Sequence, residues 1–257
     1  MKLWQAFKIA FAMYSKIPMK GADWSKENMK YAICFFPMIG GVIGIAYYII
    51  FSFLQQCGAG ALLTASILVC LPIFITGGIH VDGFLDTMDA RSSYAERERK
   101  LEILKDSHTG AFAIIGGIVY FLLNLGFASE ISSDFVVVVA IGFVYSRAFS
   151  GLAMVTLKGA RKEGMLASFS NVAEKRAVRV VMGLYLLLAM AGMVWANPVI
   201  GVACAVAGWC IFFYYKHMAY KEFGGITGDL AGYFLQICEL GIIIVSVIMS
   251  YISGVIL

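Results

Sequence analysis

Charge is what this chain has least of: 14% of its 257 residues are Asp, Glu, Lys or Arg, 61% are hydrophobic, and the mean hydropathy is +0.84. Those values lie well outside the make-up of a soluble globular domain. Its six cysteines, Cys34, Cys57, Cys70, Cys204, Cys210 and Cys238, form no Cys-x-x-Cys pair and sit in or beside apolar runs. They read as small buried hydrophobes. No basic stripe is interleaved with stacking aromatics, so a net charge of +4 does not indicate a nucleic-acid partner. Valine-rich Val136 to Val139 lacks the alternating polar positions of a membrane barrel. Met1 to Ile17 has no small-residue cleavage site, and Lys8 interrupts its apolar run, which argues against a secretion signal.

Long apolar runs are what the chain has in abundance. A spanning helix needs roughly 20 apolar residues, and seven stretches meet that measure: near Phe35 to Gln56, Ala59 to Thr76, Gly110 to Ala128, Phe135 to Leu157, Val178 to Ala196, Pro198 to Tyr215 and Tyr233 to Leu257. Backbone groups in lipid must be paired within the segment, so these are helices. Leu3, Phe7, Phe11 and Tyr14 recur at helical spacing, with Lys2, Gln5 and Lys16 elsewhere on the wheel, which suits a helix lying in the membrane interface. The expected fold is all-α: one integral membrane domain over residues 1–257, a bundle of about seven transmembrane helices behind an amphipathic N-terminal helix.

Orientation follows from the basic residues. Nineteen of the twenty Lys and Arg fall before the first span or in the connections after the second, fourth and sixth; the other is Arg147, inside the fourth. The alternate connections have none. By the positive-inside rule the N-terminus is cytoplasmic, the C-terminus lies outside, and the basic connections face the cytoplasm of a cell inner membrane.

The acidic residues of interest gather on that side. After the second span the chain reads Gly77-Gly78-Ile79-His80-Val81-Asp82-Gly83-Phe84-Leu85-Asp86-Thr87-Met88-Asp89. Spacing of i, i+4 and i+7 puts three aspartates within roughly 60° of helix arc. Their repulsion is relieved by a hard cation, and oxygen ligands without thiolates favour magnesium, manganese or calcium over zinc; the alternative is a solvated acidic face at a helix start. His80 reads as a ligand, a proton carrier, a phosphate contact or a satisfied polar residue. Before the third span, Lys105-Asp106-Ser107-His108-Thr109-Gly110 offers a helix cap or further metal and phosphate contacts. Arg147 lies inside the fourth span, where a guanidinium usually faces a polar cavity, and Glu239 inside the seventh needs a partner such as Arg147, a metal or a water-filled cavity. Two later basic-side connections hold Gly159-Ala160-Arg161-Lys162-Glu163-Gly164 and Gly224-Gly225-Ile226-Thr227-Gly228-Asp229. The latter repeats the Gly-Gly-Ile-x-x-Asp spacing of Gly77 to Asp82.

These motifs, in order, resemble the cobalamin synthase (adenosylcobinamide-GDP ribazoletransferase) family. The likeness runs from Ser15-Lys16-Ile17-Pro18 through the aspartate motif, Glu102 to Gly110, Ser146-Arg147 and Gly159 to Gly164 to Gly224–Glu239, with Ala90 and Ala113 where the family pattern has glycine. The resemblance implies transfer of the cobinamide-phosphate of adenosylcobinamide-GDP to alpha-ribazole or its 5′-phosphate, with release of GMP and with magnesium as cofactor. On that basis Asp82, Asp86, Asp89 and Asp106 are expected to hold the metal, and His80 or a carboxylate to take the attacking proton. Lys105, Ser107, Arg147, Arg161, Thr227 and Asp229 are expected at the substrates. The implied surroundings are the two substrates and the lipid bilayer, without nucleic acid; self-association or association with other corrinoid-pathway enzymes stays open. Two rivals are a CDP-alcohol-type lipid phosphotransferase, whose Asp-Gly-x-x-Ala-Arg pattern fails because Leu85-Asp86 follow Phe84, and a divalent-cation transporter, which would string its charges through the membrane.

Overall fold

The computed structural model describes residues 2–106 and 108–256. Helices follow in the order α1 (Lys2–Tyr14), α2 (Lys26–Met29), α3 (Phe36–Gln56), α4 (Ala61–Thr76), α5 (Ile79–Ser92), α6 (Arg97–Ile103), α7 (Ala111–Ala128), α8 (Val136–Thr156), α9 (Met165–Val172), α10 (Lys175–Ala196), α11 (Pro198–Met218) and α12 (Gly228–Ile256). A 3-10 turn over Ala32–Phe35 leads into α3, and a π turn over Ala219–Phe223 follows α11. Among the described residues there is no strand, only an isolated parallel bridge between Gly159 and Ile226. The expected all-α class therefore holds. Six helices are long and apolar enough to cross a membrane, and α4 with α5 forms a seventh, broken unit bent by 98°.

The break at α4 has a local cause. Gly77 and Gly78 both take left-handed backbone, with φ of 70° and 78°, which ends α4 with the Gly77 N–H on the Ile73 carbonyl and sends the chain off in a new direction. Helix α5 therefore turns away from the axis of α4 by 98°. A second Gly-Gly pair, Gly224 and Gly225 with φ of 78° and 157°, does the same between the π turn and α12.

Helix α8 is the core of the bundle, packed by α3, α10, α11 and α12. Its approach to α3 is close because Gly40 and Gly44 lie one turn apart: a Cβ at either would run into the backbone at Phe143 or Ala140. Outer faces of α7 and α10 expose Ile115, Ile118, Leu122, Leu184 and Leu188, the surface that lipid would cover.

Two details depart from the sequence reading. Phe11 and Tyr14 of α1 turn inward against α3, with Tyr14 and Phe36 ring centroids 4.4 Å apart, and the outward apolar residues are Leu3 and Trp4. Lys8 reaches the carbonyls of Lys20 and Gly21, which frees the opposite face of α1 to pack on protein. Of the cysteines, Cys204 and Cys238 are buried, but Cys57, Cys70 and Cys210 are exposed. The apolar runs that contain them face outward at those positions, so the expectation of burial in protein is corrected there.

Candidate active site

Both Gly-Gly breaks deliver an aspartate onto the first turn of the next helix, Asp82 on α5 and Asp229 on α12. The two helices cross with almost no separation. A Cβ on Gly83 would meet the Asp229 backbone at 2.8 Å, and one on Gly232 would meet the His80 carbonyl at 2.8 Å. Glycine at both positions is what lets the carboxylates share a site. Thr227 caps α12, its hydroxyl accepting the Leu230 N–H at 3.2 Å.

A third segment closes the site. Ala160 N–H donates to the Ile226 carbonyl and Ile226 N–H to the Lys158 carbonyl, each at 2.9 Å, and this short zipper brings Arg161 Nη1 to 4.0 Å from Asp229 Oδ2. Arg161 also donates to the Leu101 carbonyl, while its Nε is buried without a partner. Asp82, Arg161, Thr227, Asp229 and His80 all line one open cavity of 250 Å³. A shallower vestibule of 530 Å³ adjoins it through Arg161 and carries Lys105, Lys162 and Glu163.

Farther along α5, burial and the charges of Asp82, Asp229 and Asp89 push the Asp86 carboxyl up to about 6. Such crowding of carboxylates favours a bound cation. Among the described residues no three metal-binding side chains are already gathered into a cage. Magnesium keeps water ligands and takes one or two carboxylates together with substrate phosphates. The oxygen-only donors of Asp82, Asp86 and Asp229 fit that ion.

Several sequence expectations change place. The Asp89 carboxylate lies against Gly110, at the start of α7. Asp106 accepts from His108, backbone and ring, at 3.0 and 2.7 Å in an exposed loop, and the carboxylate that acts on Asp86 from outside α5 is Asp229. Ser107 lies outside the described residues. Arg147 does not line the open cavity. It is fully buried, donates to Glu239 at 2.7 Å and to the Phe143 carbonyl at 2.9 Å, and borders an internal, water-sized cavity of 20 Å³. A guanidinium in a span finds its counter-charge inside the protein, so the structure places Arg147 in an ion pair away from the open cavity.

Residues that the sequence reading passed over also build the site. Arg91 and Lys100 both grip Glu222, at 3.0 and 2.9 Å, tying α5 and α6 to the π turn before α12. Tyr14 and Phe36 line the cavity beside His80. Nothing local in the sequence marks the partner of Glu222, since it lies more than a hundred residues away.

The family model for cobalamin-5-phosphate synthase matches residues 6–247. The chain belongs to that family. A curated adenosylcobinamide-GDP ribazoletransferase from Lachnoclostridium phytofermentans is 48% identical over 240 residues, covering 93% of this chain and 92% of the relative. Proteins of the same name from Geobacillus sp. and Clostridium perfringens are 31% and 29% identical, covering 91% and 95% of this chain and 91% and 98% of their own lengths. No solved structure matches.

Proposed function

We propose that this member of the family is a magnesium-dependent adenosylcobinamide-GDP ribazoletransferase. It transfers the cobinamide-phosphate moiety of adenosylcobinamide-GDP to alpha-ribazole or alpha-ribazole 5′-phosphate and releases GMP. The observation that carries the reading is the meeting of Asp82 and Asp229, from two separate Gly-Gly breaks, with Arg161 at one open cavity. The basic end of the bundle, the N-terminus and the site face the cytoplasm in this reading.

The ribazole 3′-hydroxyl oxygen bonds to the phosphorus next to cobinamide. The bond from that phosphorus to the bridging oxygen breaks, GMP leaves with that oxygen, and the hydroxyl proton passes to a carboxylate of the cluster. Negative charge is distributed over the transferring group, so positioning and charge complement matter more than base strength. Arg161 supplies positive charge at the cavity wall. Thr227 fixes the start of α12 and thereby Asp229. Asp82, Asp86 and Asp229 would hold magnesium, which supplies Lewis-acid neutralisation of the diphosphate when bound.

The test is detergent-purified protein incubated with adenosylcobinamide-GDP, alpha-ribazole 5′-phosphate and magnesium, with GMP and corrinoid product separated chromatographically. Equal yields of both, dependent on acceptor and metal, support the proposal. Folded protein that forms neither product overturns it, and transfer that persists in chelator removes magnesium from it.

A further inference from the structure

The 250 Å³ cavity has two unlike parts. Its mouth carries the exposed Asp82 and the half-buried Arg161 and Asp229, while its depth is walled by the buried Tyr14, Phe36 and Leu235 with Met154 and Leu166. We propose that this depth is the acceptor's base subsite: it seats the aromatic base of alpha-ribazole, its ribose reaching the mouth, while the corrinoid and the guanosine remain outside. The inference rests on the transfer reaction proposed above and adds which part of which substrate enters.

Size and chemistry select the occupant. The volume falls just below the roughly 300–1,000 Å³ of pockets for drug-sized molecules, so it accepts a bicyclic ring and excludes a corrin macrocycle. Guanine would bring a polar edge with several donors and acceptors against Phe36, Met154, Leu166 and Leu235, where Tyr14, His80 and Ser150 are too few to pair them all. Dimethylbenzimidazole brings two methyl groups and, once joined to ribose, one bare ring nitrogen. Among the described residues at this depth His80 Nε2 is the buried side-chain atom without a hydrogen-bond partner, and Tyr14 and Ser150 are the other polar side chains there, a small polar complement that suits a base with one bare acceptor. The His80 ring is itself held between Tyr14 and Phe36, at centroid distances of 6.3 and 5.9 Å.

Ala167 on α9 lines the same cavity, and Ala167→Leu would fill the space of the base methyls. With the acceptors compared in one phosphorylation state, the KM for the dimethylbenzimidazole riboside should rise about tenfold or more, the range that a methylene contributes in an apolar pocket. The KM for the unmethylated benzimidazole riboside should rise less than about threefold, and that for adenosylcobinamide-GDP should stay within about twofold. Leu166→Ala provides the opposite probe, raising relative kcat/KM for a riboside with a wider ring, and serves if Ala167→Leu does not fold. An increase confined to the donor KM would assign the cavity to the guanosine, and equal losses on both acceptors would mean that it reads no base; either overturns the inference. Wild-type protein that releases no GMP with any acceptor would instead overturn the reaction itself.

Discussion

Helix α12 carries two acidic residues ten positions apart, and their surroundings differ sharply. Glu239 is buried in the span and meets Arg147 at 2.7 Å, with Ser146 adding a hydrogen bond at 3.0 Å. Asp229 sits at the membrane boundary, where the nearest cation, Arg161, is 4.0 Å away and Asp82 and Asp86 add charge of its own sign. Inside hydrocarbon an unmatched charge is too costly to keep, so the pair is balanced within the protein. At the start of α12 a surplus of one sign persists where an open cavity admits water. Matched charge marks architecture here, and unmatched charge is where the proposed chemistry is placed.

The comparison breaks most visibly at Asp82. Asp82→Asn should lower transfer by at least about 10³-fold, the several kcal/mol that a metal ion contributes to the transition state, while thermal unfolding in detergent stays unchanged or moves upward as repulsion is relieved. Loss of stability in step with activity would place Asp82 on the architectural side instead. The matched pair should behave oppositely. Glu239→Leu strands a guanidinium and should cost about 3–5 kcal/mol of stability, and the double change with Arg147→Met should recover most of it and retain transfer. A stable double variant with activity down by more than about a hundredfold, or roughly 2.7 kcal/mol, would return Arg147 to the substrate.

All seven apolar runs and the amphipathic N-terminal helix could be read from the sequence, because lipid imposes a length and a composition on each span separately. So could the three aspartates on one face of α5, since helical spacing is local. Partnership was not legible. Asp106 and Asp229 were both candidates by type, and only the close crossing at Gly83 and Gly232 decides that Asp229 joins the cluster. Glu239 had Arg147 as one of three possible partners, and only the contact itself selects it, while Tyr14 reads as a lipid-facing residue until Phe36 covers it.

Metal-free protein gives a subtler contrast. With its folded-state pKa at about 6, Asp86 binds a proton more readily in the folded protein than in the unfolded chain. Its contribution to stability is therefore greatest at low pH and is lost as pH rises through 6. In chelator, the unfolding temperature should fall between pH 5 and pH 7, Asp86→Asn should flatten that slope, and magnesium should reduce it. A slope that survives Asp86→Asn would assign the titration to another group.

The smallest effect should come from Asp106, although its sequence context suggests a metal ligand. Its carboxylate is exposed and held by His108, whose backbone and ring nitrogens lie at 3.0 and 2.7 Å, and that contact keeps its pKa below the usual carboxylate range. An acid already committed to a loop partner in water has little to add to a charge cluster built on α5 and α12. Asp106→Asn should change the magnesium concentration for half-maximal transfer by less than about threefold, well under 1 kcal/mol. A shift as large as that of Asp82→Asn would mean that the loop between α6 and α7 folds over the bound diphosphate, making Asp106 a ligand that only the substrate recruits.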